Sequence, residues 1–311
     1  MKFKVSVIIP VYNAEKYLRQ AVESVIHLPQ TGEVVLVEDH SPDNSLSICR
    51  QLEAEYSTVR LVTHDHKTNL GAGAARNLGI TNSRFNYVAF LDADDHYMPN
   101  RFEKEEEIFS NAETVDGVYG YTKGIFENEY VKEKYLSRHT ADDTFAEEVP
   151  PDELLNALLF GGKGRFHTNA ITLRKDAFKK AGYFDPELKL TQDTECWVRL
   201  AAKCTLVAGN IATPIAVRIV HDNNRIHNND DALNKYAKKA YSKLFFWAVL
   251  RQNFAFSKTN SFFLAYSFFV NKQANSPLRV LLQLAKLKPQ LFITIFFYRK
   301  IYQIISGVFK H

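Results

Sequence analysis

Residues 5–13 read VSVIIPVYN, a short and almost wholly apolar run that ends at Pro10 and turns polar by Asn13. A strand this apolar is covered on both faces, as inner strands of parallel sheets are. Asn13 is placed to cap the helix that follows, where Leu18, Ala21, Val22 and Val25 recur at helical spacing. Working outward, residues 34–37 form a second buried strand. Ser41-Pro42-Asp43 then offers turn and cap chemistry before a helix through Leu46 and Leu52. Residues 60–63 read as a third strand, 72–79 as a short helix and 87–91 as a fourth strand. The order βαβαβαβ predicts an α/β fold: a doubly wound, mostly parallel sheet with helices on both faces. Ligands of such sheets bind at the carboxyl ends of the strands, near the point where strand order reverses.

Beyond Pro99 the pattern loosens. A charged helix is expected over residues 100–111 and a strand over 115–121, while 122–165 is mixed and polar. A strand at 168–173, a helix closing at Gly182, a helix over 193–203 and strands at 205–208 and 215–220 complete the body. From about Asp231 the chain reads as helices broken near Asn275-Ser276-Pro277 and Lys288-Pro289. The expected divisions are residues 1–98, 99–230 (two halves of one domain) and a tail, 231–311.

The chemistry sits at strand ends. The first strand ends in Pro10-Val11-Tyr12-Asn13, the second in Glu38-Asp39-His40-Ser41 and the fourth in Asp92-Ala93-Asp94-Asp95. On a parallel sheet these loops converge on one edge and bring four or five carboxylates together. Grouping like charges is costly unless a cation or hydrogen-bond donors compensate. Mg²⁺ or Mn²⁺, held by one or two carboxylates and by substrate phosphates, resolves that cost.

Four segments in order, residues 5–13, 37–45 (VEDHSPDNS), 69–79 (NLGAGAARNLG) and 90–95 (FLDADD), resemble the nucleotide-sugar-binding half of glycosyltransferase family 2, which has the GT-A fold. The resemblance continues through KAGYFDPEL and QDTECWVRL and covers about residues 3–220, leaving the tail unmatched. It implies a GT-A-like sheet with a C-terminal helical tail. It also implies an inverting transfer of a hexosyl or N-acetylhexosaminyl group from a nucleotide-diphosphate sugar, a UDP-sugar by expectation. The acceptor implied is a hydroxyl of a surface glycan or of a lipid-linked molecule. By the same resemblance Pro10, Tyr12, Asn13 and Asp39 border the nucleotide, and Arg76, in the Ala75-Arg76-Asn77 turn, lies near it. Asp92 faces the ribose, Asp94 ligates the metal, and His221 lies close to metal and diphosphate. Asp193 matches the catalytic base at the start of a helix, which favours its ionised form, and Trp197 one turn on walls the acceptor. Two departures stand out: His40 replaces a usual Gly, and Gln192 replaces the usual Glu before the base.

Bland readings compete at several positions. Acidic residues after strands suit turns and caps, Arg76 can merely pair with a carboxylate, and Tyr12 and Trp197 can be ordinary half-buried aromatics. Gly71-Ala72-Gly73 lacks the third glycine of a dinucleotide fingerprint, so NAD is not expected. His64 and His66 read as solvated loop residues, and residues 103–107 as a solvated helix face.

Composition adds a division of labour. The net charge of +4 hides a body, residues 1–230, of net −8 and a tail of net +12 that holds 18 of the 40 aromatic residues. That tail is expected to lie on an anionic membrane surface, with packing on the body or a homodimer through its helices as the alternatives and nucleic acid disfavoured. No uncharged apolar run approaches the length of a membrane span; residues 261–270 and 291–298 are too short. The first residues lack a signal-peptide pattern, and Cys49, Cys196 and Cys204 show no metal or C-x-x-C spacing. The expected place is the cytoplasmic side of the cell membrane, peripherally bound. Two rivals are a nucleotidyltransferase, which the absence of a Gly-rich basic loop after the first strand disfavours, and a catalytically silent membrane scaffold, which the intact Asp92, Asp94 and Asp193 disfavour.

Overall fold

β1 (Val5–Val11) is an inner strand of the main sheet, with Val5, Val7, Ile8, Ile9 and Val11 wholly out of water. In this computed structural model the residues described are 3–65, 68–137, 141–161, 163–221, 230–252 and 254–270. Each of those aliphatic side chains contributes about 1.5–3 kcal/mol by its burial, so a two-sided apolar strand finds its place only with partners on both edges. β1 pairs in parallel with β2 (Thr31–Glu38) on one side and with β4 (Tyr87–Phe90) on the other. β3 (Val59–Thr63) extends the sheet beyond β2. Strand order reverses at β1, and the carboxyl ends of β1, β2 and β4 open on one edge.

The intervening helices cover this sheet. α1 (Leu18–Ile26) buries Leu18, Ala21, Val22 and Val25, and α2 (Ser45–Glu55) buries Cys49 and Leu52. α3 (Ala72–Asn82) lies so close to β1 that a Cβ on Gly79 would overlap Ile8. The expected cap at Asn13 is not formed. α1 starts at Leu18 without a side-chain cap, and Asn13 takes the left-handed conformation, φ +54°, which Asn tolerates better than most residues. Its N–H donates to Ser41 Oγ, 3.2 Å, tying the loop after β1 to the loop after β2.

After β4 come β5 (His96–Tyr97), α4 (Glu103–Asn111), β6 (Gly117–Tyr119), β7 (Thr122–Phe126), α5 (Glu129–Leu136) and α6 (Pro151–Phe160). β8 (Ile171–Arg174), α7 (Asp176–Ala181), α8 (Gln192–Lys203), β9 (Leu206–Ala208) and β10 (Ala216–Val220) follow. The main sheet runs β3-β2-β1-β4-β8-β6-β9, antiparallel only where β8 meets β4 and β6. β10 pairs antiparallel with β5 and parallel with β7 in a second, three-stranded sheet. The expected strand over 115–121 is shorter, and the one at 168 begins as a 3-10 turn, Thr168–Ala170. Gly182 ends α7 at φ +90°, a conformation only glycine adopts freely. The expected solvated face of α4 is broken by Glu105, which is buried and paired with the equally buried Arg101. Burial lifts the Glu105 carboxyl to about 6 against the pull of Arg101.

The chain forms two compact units, Met1–Leu233 and Asn234–His311. The second holds most of α9 (Asp230–Phe246), a π-helical turn (Trp247–Arg251) and α10 (Phe256–Val270). Its aromatics pack on one another: Phe245 stacks on Tyr266 at 4.8 Å, and Phe254 on Phe262 at 6.0 Å. Leu250 and Leu264 stay half exposed. The expected breaks near Pro277 and Pro289, the apolar stretch 291–298 and His66 lie outside the described residues.

Candidate active site

The carboxyl ends of β1, β2 and β4 open into a cleft of about 680 Å³. Pro10, Tyr12, Asn13 and Asp39 line it from β1 and β2, Arg76 from α3, and Asp92, Asp94 and Asp95 from the loop after β4. Asp193 and Trp197 reach it from α8, and His221 from the end of β10. Every site residue expected from the sequence thus faces one cavity.

Asp39 is buried, and its two carboxylate oxygens accept the N–H groups of Leu70 and Gly71 at 2.8 and 2.7 Å. A carboxylate has about four lone-pair sites, so these bonds leave acceptor capacity. Gly71 holds φ +94° at the mouth of α3, which lets its N–H turn onto Asp39. His64 is not solvated as expected: its imidazole is largely buried, with Nε2 4.0 Å from Asp39 Oδ1. His40 takes φ +55°, explaining why a glycine suits this place, and Glu38 steadies the turn by accepting from the N–H groups of His40 and Ser41.

Arg76 lies within α3 rather than in a turn, almost wholly buried. Its Nη2 donates to Asp92 Oδ1 at 2.6 Å, while Nε and Nη1 meet no hydrogen-bond partner among the described residues. Buried, unmet guanidinium donors beside a cleft await an acceptor group. Burial alone would raise the Asp92 carboxyl, but Arg76, with His167 and Arg218 nearby, brings it below the usual range.

Asn169 organises the loop after β4. Its Oδ1 accepts from the Asp92 N–H and its Nδ2 donates to Asp95 Oδ2, while Arg101 Nε holds its carbonyl. Asp95 also accepts the Ile219 N–H, 2.7 Å, so the loop is sewn to β10. Burial, then Asp94 and Asp92, push the Asp95 carboxyl well above its ordinary value. Sequence reasoning missed Asn169, Asp95 and His167 as site residues. Only the triple acid after β4 hinted at Asp95; nothing local marks an Asn or His some 75 residues away.

Two donor sets flank this loop. His221 Nε2 lies 3.1 Å from Asp94 Oδ2, with its ring stacked on Tyr17 at 5.3 Å. On the other side Asp92, Asp95 and His167 offer ligand atoms within 4.8 Å of one another. Burial and Arg218 lower the His167 imidazole and favour its neutral form. The carboxylate oxygens suit Mn²⁺ or Mg²⁺, and a neutral imidazole adds a nitrogen ligand, so the residues present fit a divalent cation.

Asp193 lies in the first turn of α8, where its Oδ1 accepts the Thr194 N–H at 2.7 Å. Trp197 is not an exposed wall: it is 3% exposed and packs among Phe90, Phe166 and Phe184, although it is among the residues that line the cleft. Tyr12, by contrast, is 39% exposed at the rim.

A sequence-family model described as glycosyl transferase family 2 matches residues 6–182. A protein of Rickettsia felis named an uncharacterized glycosyltransferase is 31% identical over 200 residues, covering 63% of this chain and 31% of that protein. The chain spans less than two thirds of the length of the first curated relatives it matches. Staphylococcus aureus TarS, residues 1–349 in complex with UDP-GlcNAc, superposes with a TM-score of 0.62 at 18% identity over 87% of this chain and 74% of that one. The mannosyltransferase PcManGT of Pyrobaculum calidifontis, in complex with GDP-Man and Mn²⁺, gives 0.53 at 16% identity, covering 98% and 86%. At such identities the likeness is one of fold, and the fold is GT-A.

Proposed function

The chain belongs to glycosyl transferase family 2, and from that membership we propose an inverting transfer of a hexosyl or N-acetylhexosaminyl group from a UDP-sugar to a hydroxyl of a surface glycan or lipid-linked acceptor. The observation that carries it is the shared cleft of Arg76, Asp92, Asp94 and Asp193. Separate carboxylates for a nucleotide, a cation and an acceptor proton are what this displacement requires.

In this reading Pro10, Tyr12 and Asn13 border the base, and Asp39 accepts from a uracil N–H with its remaining lone pairs. Asp92, fixed by Arg76, takes the ribose hydroxyls, and Arg76 Nε and Nη1 donate to oxygens of the bound donor. Asp94 and His221 would hold Mn²⁺ or Mg²⁺, with Asp92, Asp95 and His167 as the second donor set. A bound divalent cation supplies neutralisation of charge at the departing diphosphate. Asp193 removes the proton of the acceptor hydroxyl as its oxygen attacks the anomeric carbon from the face opposite the diphosphate. Trp197 gives that acceptor an apolar floor. The Rickettsia, TarS and PcManGT likenesses favour a sugar nucleotide over other ligands, and the complex of TarS with UDP-GlcNAc favours UDP.

The tail's net +12 and its aromatics support peripheral attachment to the anionic cytoplasmic face of the cell membrane. No helix among the described residues is long and apolar enough to cross a bilayer. Sedimentation with anionic and neutral vesicles, beside the oligomeric state in solution, separates attachment from a homodimer through the same helices. For the reaction, a melting screen of UDP-, GDP- and other sugar nucleotides with and without Mn²⁺ is decisive. Cation-dependent stabilisation by a UDP-sugar is expected, and indifference to every sugar nucleotide would refute the reading.

A further inference from the structure

Resting on the glycosyltransfer reading above, we propose that the acceptor is anionic, and that Arg165 and Arg218 seat an oxyanion, phosphate or carboxylate, close to its reacting hydroxyl. Arg165 ends the stretch, 122–165, whose sequence shows no periodic pattern, and Arg218 lies on β10 beside it. β10 pairs with β7 so that Arg218 lies opposite Gly124. Asp143 forms an isolated antiparallel bridge with Thr122 at the start of β7, and Phe145 forms another with Gly164. Gly124 and Gly164 permit this approach, because a Cβ on either would overlap the backbone at Ala141 or Thr144. The result places two guanidiniums on one carboxylate. Arg165 Nε donates to Asp143 Oδ1 at 2.7 Å, and Arg218 Nη1 lies 3.5 Å from Asp143 Oδ2.

Asp143, Arg165 and Arg218 all line the cleft, so two guanidiniums converge there on one carboxylate, with Asp95 and Asp92 also acting on Arg218. Arg218 is fixed, with a side chain 10% exposed and a bond to Tyr135 Oη at 3.0 Å. The Arg165 side chain is 55% exposed while its Nε is bonded to Asp143. Asp193 lines the same cleft as this group. A planar guanidinium pair held by backbone bridges matches phosphate or carboxylate far better than neutral hydroxyls. With Asp193 in the same cleft, an acceptor whose anionic group docks there can present a hydroxyl to the base.

The test uses the full chain, a UDP-sugar with Mn²⁺, and three acceptor probes: octyl glucoside, octyl glucoside 6-phosphate and octyl glucuronide. Expected is a preference of about tenfold or more in kcat/KM for at least one anionic probe over the neutral one, equivalent to roughly 1.4 kcal/mol. The phosphate and the carboxylate arms decide which oxyanion is read. R165Q should bring that ratio toward one, and R165K should keep part of it, which a loss of folding cannot mimic because each ratio is internal to one variant. A neutral probe used as well as the anionic ones, or a ratio unmoved by R165Q, overturns the proposal. If wild type consumes no sugar nucleotide, by hydrolysis or by transfer, the glycosyltransfer reading falls and this one with it. Consumption without anionic preference sinks this one alone.

Discussion

Nε2 of His221 stands 3.1 Å from Oδ2 of Asp94, joining the end of β10 to the loop after β4 across 127 positions of sequence. Tyr17, from the turn leading into α1, stacks on the same imidazole and fixes its plane. The pair is therefore held by three separate elements before any ligand arrives.

Asp94→Asn should remove Mn²⁺-dependent nucleotide binding and lower transfer by about 10²–10³-fold, a loss of several kcal/mol of charge stabilisation. His221→Gln should weaken cation binding less, by roughly 10–100-fold. Mn²⁺ titration followed by electron paramagnetic resonance, beside UDP calorimetry, reads both. Cation affinity unchanged in both variants would move the metal to the Asp92, Asp95 and His167 side.

Asp193→Asn keeps the shape of α8's first turn and removes the proton acceptor. Transfer should fall by about 10²–10⁴-fold, with UDP-sugar affinity within a factor of two or three. Transfer at the wild-type rate would dismiss Asp193 as the base.

The contrast between Asp193 and Asn169 shows what the sequence made legible. β1, β2, β4 and their acidic ends are local patterns: an apolar run, then residues that bind or turn. The sheet and the acidic strand ends followed from that period and order, whereas Arg76, Asp193, Trp197 and His221 came from the family resemblance. Asn169 and His167 carry no such mark, because their meaning comes from β8 lying antiparallel beside β4. The 122–165 wall was illegible for a related reason. Its Asp143 sits on one isolated bridge and its Arg165 directly follows another, at Gly164, so no hydrophobic period announces them. Glu105 misled because Glu103 and Glu107 near it face water, while Arg101 beneath it draws Glu105 inward.

His40 holds φ +55°, where an L-residue pays about 1–2 kcal/mol. His40→Gly removes that strain and adds roughly 0.5–1 kcal/mol of unfolded-chain entropy cost. The net expectation is a stabilisation of about 0.5 kcal/mol, seen in urea unfolding. His40→Val, β-branched at a left-handed position, should lose more than about 1 kcal/mol. If Val is tolerated as well as Gly, the turn is not strained.

Gly79 touches β1 where any side chain would meet Ile8. Gly79→Ala gains helix propensity of about 1 kcal/mol but forces α3 off the sheet, and overpacking of this kind costs about 1–3 kcal/mol. The overpacking should win, so the variant melts lower. Ile8→Val combined with Gly79→Ala should recover part of the loss, and no recovery would place the clash elsewhere.

Asp143 gives the acceptor wall its pH dependence. Burial pushes its carboxyl up, yet His167, Arg165 and Arg218 together hold it below the ordinary range. A depressed folded value means that the native state releases this proton more readily than the unfolded chain. The stabilisation is therefore complete above the unfolded value of about 3.9, and it is lost as the pH falls toward the lower folded value. Asp143→Asn should cost about 2–3 kcal/mol at pH 7, because it strands two cations, one of them still half solvated. The same substitution should cost progressively less below pH 4, where the wild-type carboxyl begins to protonate in the unfolded chain. Urea unfolding of both proteins at pH 7 and pH 3.5 measures the gap; a gap independent of pH would mean that the loss comes from side-chain hydrogen bonds that Asn cannot repeat and not from the charge of Asp143.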